Sequence, residues 1–102
     1  MAKPETYKQA AARLLAGLKA RGWRVETFST RTMKPLKTPY AETPDGRMRL
    51  WFRAQSVHFT VGNSHDANSA HSLFADTKGI SAEELERDAF RRRDIGEKMR
   101  DY

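Results

Sequence analysis

Arg47-Met48-Arg49-Leu50-Trp51-Phe52-Arg53, followed after Ala54-Gln55-Ser56 by Val57-His58-Phe59-Thr60-Val61, is the densest aromatic and β-branched run of the chain. Side chains alternate across an extended strand. Met48, Leu50 and Phe52 therefore share one side, and Arg47, Arg49, Trp51 and Arg53 share the other. The second run repeats the pattern, with Val57, Phe59 and Val61 on one face and His58 and Thr60 opposite. A connection as short as Ala54-Gln55-Ser56 makes the two runs hairpin partners. One face is then core, and the other carries arginines around a tryptophan.

Upstream, Thr43-Pro44-Asp45-Gly46 is a turn: proline presets the second position and glycine suits its end. Thr38–Thr43 reads as a short strand, which Pro39 places at a sheet edge. Residues Thr30–Lys37 read as a basic loop carrying Arg31, Lys34 and Lys37 around Pro35. It is either a phosphate-contacting arm or an ordinary exposed connection. Trp23–Ser29 forms a first strand, with Phe28 out of alternation and a bulge expected there. Before it, Tyr7, Ala11, Leu14, Leu15 and Leu18 make one helical stripe over Thr6–Arg21. Thr6 and Gln9 form a capping box, and Gly22 ends the helix.

Downstream, 62–79 is polar, without a clear period, and long for a connection; Leu73 and Phe74 pin its far end. Ser81 caps a second helix, with Ile80 and Leu85 as a staple and acids in the first turn. Its packing side is Leu85, Ala89 and Phe90, and Gly96 weakens its continuation. The strands form one block between two helices. That order predicts an α+β fold: a helix, a three- or four-stranded antiparallel sheet and a helix, with both helices on one sheet face. At 102 residues a single domain is expected over 1–102, with 1–5 loose and 96–102 frayed.

The net charge of +6 is unevenly placed. Residues 1–53 hold twelve Lys or Arg against four Asp or Glu, and 54–102 hold seven against nine. A basic half of this kind suits a polyanionic partner. There is no cysteine, hence no disulfide framework and no thiolate metal site. The chain has no membrane-length apolar run and no apolar leader, so a cytoplasmic protein without a membrane partner is expected.

The candidate contact residues are Arg31, Lys34, Lys37, Arg47, Arg49, Trp51 and Arg53. Arginine forks engage phosphates, and a tryptophan among them stacks on a base. The competing reading buries Trp51 and leaves the arginines as solubilising groups. Arg91-Arg92-Arg93 suits the macrodipole of a helix end better than a phosphate clamp. His58, His65 and His71 with Asp66 match no strong metal spacing. Ser64-His65-Asp66 holds triad residue types in sequence, which is not triad geometry. No phosphate-binding glycine motif is present. No enzyme activity, cofactor or metal is expected.

The stretch Pro39-x-Ala41-x-x-Pro44-x-Gly46 running into Arg49-Leu50-Trp51-Phe52-Arg53-Ala54-Gln55 resembles small uncharacterised proteins encoded in bacteriophage and other bacterial mobile elements. The resemblance covers about a quarter of the chain and implies a mobile-element context, but no activity. Glu42 departs from it, where a small polar residue is expected. The helix–strands–helix order is also similar to the double-stranded-RNA-binding domain, whose second helix starts with phosphate-binding lysines. Here that start is the acidic Ser81-Ala82-Glu83-Glu84, which argues against that binding mode. The function expected is nucleic-acid binding, to DNA or RNA, chiefly electrostatic and through the Arg/Trp sheet face. The alternative is a protein–protein module or inhibitor of a host or defence protein using the same face, because Trp and Arg dominate interface energetics. Open strand edges allow a monomer or a dimer.

Overall fold

Helix α1 (Tyr7–Ala20) begins where the capping box places it. The Gln9 amide donates to Thr6 Oγ1 at 3.1 Å, and the Thr6 amide donates to Gln9 Oε1 at 2.9 Å. Gly22, at φ +96°, turns the chain out of the helix, a conformation glycine adopts without a Cβ clash. Five antiparallel strands follow: β1 (Arg24–Ser29), β2 (Lys34–Glu42), β3 (Met48–Phe52), β4 (Val57–Val61) and β5 (His71–Phe74). They lie side by side in chain order, as a meander. Helix α2 (Ala82–Arg100) closes the fold, and the Glu84 amide donates to the Ser81 hydroxyl at 3.1 Å. The computed structural model describes residues 5–62 and 70–100, with side chains up to residue 94.

Both helices pack on one face of the sheet. Leu14, Leu15 and Leu18 of α1 and Leu85 and Ala89 of α2 share a buried cluster with Met48, Leu50, Phe52 and Val57. The even-numbered residues of β3 thus face the core. The two helices touch at Gly17, where a Cβ would come within 2.5 Å of the Ala82 Cβ. Glycine is what permits the close approach. One flank of α1 is held to α2 by Arg21–Glu86, 2.5 Å apart. Nearby, Arg13 donates to the Ile80 carbonyl at 2.6 Å.

The α+β class and the antiparallel sheet agree with the sequence reading, but the strand count is corrected from three or four to five among the described residues. The strand missed is β5. Its two apolar residues, Leu73 and Phe74, are adjacent rather than alternating. A register shift opposite Val57 and His58 lets both pack against the core. This five-strand meander also departs from the three-strand order of the double-stranded-RNA-binding domain.

The second correction concerns Thr30–Lys37, which is a hairpin rather than a loop. Residues 30–33 turn, with the Met33 amide donating to the Ser29 carbonyl at 2.8 Å, and β2 already begins at Lys34. Phe28 pairs with Pro35 and Ser29 with Lys34. Between this pairing and the next, Glu26 with Tyr40, β1 has one residue and β2 has four. The bulge expected at Phe28 is therefore an irregularity of both strands. Prolines survive in β2 because β3 pairs only with Tyr40–Glu42. The distal half of β2 has no neighbour on that side that needs its N–H groups.

Candidate nucleic-acid interface

The outward face of β3 is where the sequence places its contact residues, and the alternation holds there. Arg49 and Trp51 lie opposite the core. The face is closed rather than open. Trp51 is only 7% exposed. Tyr40, its direct partner on β2, tilts against it with ring centroids 5.1 Å apart. The indole Nε1–H donates to Thr60 Oγ1 on β4 at 3.0 Å. Trp51, expected as a base-stacking platform, thus has little ring surface open to a base. Cross-strand neighbours on both sides supply an aromatic wall and a hydrogen-bond acceptor, so the indole is buried and satisfied without a ligand.

Arg49 is also taken up internally. Its guanidinium lies 3.9 Å from the centroid of the Tyr40 ring and 5.0 Å from that of Trp51. One amino group reaches Glu42 Oε1 at 3.4 Å. Glu42, 6% exposed, is the hub of this layer, and its other carboxylate oxygen accepts from Arg24 on β1. Burying a carboxylate without a partner is costly, and these two arginines supply the partners. Arg49 belongs to a structural layer of Arg24, Glu42, Tyr40 and Trp51. The burial of Glu42 was not legible in the sequence.

The remaining candidates divide into two places. Arg47 and Arg53 are exposed at opposite ends of β3. Arg31, Lys34 and Lys37 are exposed on the β1–β2 hairpin. Its tip extends past the last β2–β3 pair at Tyr40 by up to roughly 20 Å, at ~3.3 Å per residue. This arm has no Asp or Glu between Glu26 and Glu42. Met33 sits at its tip, 71% exposed and in the left-handed region at φ 57°. Phe28, on the adjoining strand, is 43% exposed. The structure thus brings together three of the seven predicted cations and aromatics, adds Met33 and Phe28, which the sequence did not mark as contact residues, and sets Arg49 and Trp51 apart. The legible signal for Met33 was its place between Arg31 and Lys34 in a turn.

Other charged groups near the sheet are occupied structurally. Asp45 accepts from Thr43 Oγ1 at 2.6 Å and from the Arg47 amide at 3.0 Å, and Arg93 reaches it at 3.3 Å. The Thr43 hydroxyl, the Arg47 amide and the nearby arginine charges hold its carboxyl below the usual carboxylate range. The Arg93–Asp45 pair ties α2 to the β2–β3 turn, and within α2 the Arg93 guanidinium lies over the Phe90 ring at 4.9 Å. Arg91 and Arg92 are exposed. His58 faces outward beside Trp51. Burial, and then the Arg53 charge, depress its pKa. His71 tilts against Phe59 with ring centroids 5.9 Å apart. His65, Asp66 and Ser64 lie outside the described residues. Among the described residues there is no group of three or more His, Cys, Asp or Glu side chains able to hold a metal. No described helix is long and apolar enough to cross a membrane. No protein-family model, curated protein or solved structure matches the chain.

Proposed function

We propose that the protein binds nucleic acid through the β1–β2 arm, chiefly by charge and with little sequence preference, and that its preferred form is duplex DNA. The observation that carries this is the arm itself: Arg31, Lys34 and Lys37 exposed on a ribbon without a carboxylate between Glu26 and Glu42. Cations on such a ribbon meet phosphates by releasing condensed counterions. A two-stranded ribbon fits the ~12 Å major groove of B-DNA, whereas the deep, narrow major groove of A-form RNA excludes it. Met33 supports the reading. An exposed apolar side chain in a strained backbone position adds nothing to stability, and such positions collect at contact sites.

The test is a salt titration of affinity for a duplex DNA and a duplex RNA of equal length. The wild-type protein is compared with the triple variant Arg31→Gln, Lys34→Gln, Lys37→Gln. Each phosphate-contacting cation removed lowers the slope of log affinity on log salt by about 1, so the triple variant loses about 3. DNA binds more tightly than RNA. An affinity that barely changes with salt, or a triple variant with the wild-type slope, overturns the proposal.

A further inference from the structure

We infer that the groove between α1 and the β1–β2 ribbon is a docking site for an acidic amphipathic helix of a protein partner. The flank of α1 turned away from α2 does not lie flat on the sheet. It leaves an open groove of about 860 Å³ against the inner side of the ribbon. Leu15 and Phe52 form its floor, with Ala12 and Ala16 on the helix wall and Val25 and Leu36 on the ribbon wall. Ala12 and Ala16 are exposed. Small side chains on a helix wall let a second helix approach at the short end of the usual ~8–10 Å spacing.

Among the described residues the rim has one sign of charge: Lys8 and Lys19 stand on the α1 side and Lys37 and Arg53 on the strand side, and no Asp or Glu lines the groove. Lys8, Lys19 and Lys37 have no ion-pair partner among the described residues. An apolar floor between basic rims is complementary to a helix with leucine-like residues on one face and carboxylates along its flanks. The spacing of the cations decides against other anions. Lys8 and Lys19 are eleven residues apart, about 16 Å along the helix at ~1.5 Å per residue. A single-headed amphiphile such as a fatty acid places its charge at one end and leaves the other cations unmatched. A nucleic-acid backbone matches the cations but gains nothing from the floor. Three turns of acidic helix match both. This site shares Lys37 with the arm but not Arg31, Met33 or Lys34 at its tip, and it does not depend on the DNA reading.

The test uses a fluorescent peptide of about 16 residues, stapled because isolated helices of that length are marginal. It carries leucine along one face and glutamate on both flanks, and its counterpart has lysine in place of glutamate. Binding is read by anisotropy. The acidic peptide binds at least about tenfold more tightly than the basic one, as complementary against like charge requires. Ala12→Glu with Ala16→Glu, at exposed helical positions, weakens it by at least about tenfold while the melting temperature holds. Lys8→Gln with Lys19→Gln weakens it severalfold and flattens its salt dependence. Arg31→Gln with Lys34→Gln leaves it unchanged, which separates the groove from the arm tip. Equal binding of the two peptides, or full binding by the double-glutamate variant, overturns the inference. So does sodium dodecanoate saturating at one per chain where the acidic peptide fails to bind, or self-association of the protein that the double-glutamate variant abolishes.

Discussion

The centre of β3 and the distal half of β2 carry similar residues and treat them in opposite ways. Arg49 and Trp51 stand beside Tyr40 and Glu42 on one side and Thr60 on the other, and they are consumed by those neighbours. Lys34 and Lys37 stand on the part of β2 that β3 does not reach, and they are exposed. The difference is the number of flanking strands. A residue between two strands has cross-strand partners within reach on both sides. A residue on a two-stranded ribbon has them on one. Arginine beside tryptophan in sequence therefore marks a binding face only where the sheet leaves that face uncovered.

The largest effect should come from breaking the closed centre. Glu42→Ala leaves Arg49 largely buried without its carboxylate and should cost about 2–4 kcal/mol in urea denaturation. That is near the low end for a broken buried pair because Arg24 is largely exposed. Lys37→Ala on the arm should stay within about 0.5 kcal/mol. Equal losses would erase the contrast between the two regions. A smaller effect should follow from Trp51→Phe. It leaves the Thr60 hydroxyl without the indole donor and should cost about 1–2 kcal/mol, with nucleic-acid affinity unchanged. Smaller again is Met33→Gly, which relieves a left-handed methionine. Stability should stay level or rise by up to about 1 kcal/mol, while DNA affinity falls.

The smallest effects are in pH. The folded pKa of His58 is depressed below its ordinary value of 6.5. The unfolded chain therefore binds more protons between the two values. The contribution of His58 to stability is complete above the ordinary value and is lost as pH falls through the folded one. In an NMR titration its midpoint should lie below 6.5 and move up slightly in Arg53→Gln. Asp45 behaves likewise at lower pH. Its contribution is present above about 3.9 and lost as pH falls through its depressed folded value. Thr43→Val, which removes the first cause of that depression, should raise the Asp45 midpoint.

Much of the fold was legible because it rests on local signals. The capping box at Thr6 and Gln9, the turn at Thr43–Gly46 and the alternation of Met48, Leu50 and Phe52 each depend on residues close in sequence. What escaped depends on distant ones. β5 exists because β4 offers an edge to His71–Phe74, whose own pattern is too short to announce a strand. β2 starts early because β1 templates Lys34 and Pro35, and a proline-interrupted basic stretch alone reads as loop. At the candidate site, which face Trp51 occupies was readable from alternation. Whether that face stays open was not, since Tyr40 and Thr60, which cover and satisfy the indole, come from neighbouring strands.

The arm and the closed face can be set against each other in one titration. Duplex DNA is added to ¹⁵N-labelled protein while the Trp51 indole Nε1–H and the arm amides around Arg31, Met33 and Lys34 are followed together. The arm amides should shift or broaden while the indole signal, held on Thr60, stays in place. Movement of the Trp51 indole with the arm amides unperturbed would place binding on the β3 face instead of the arm.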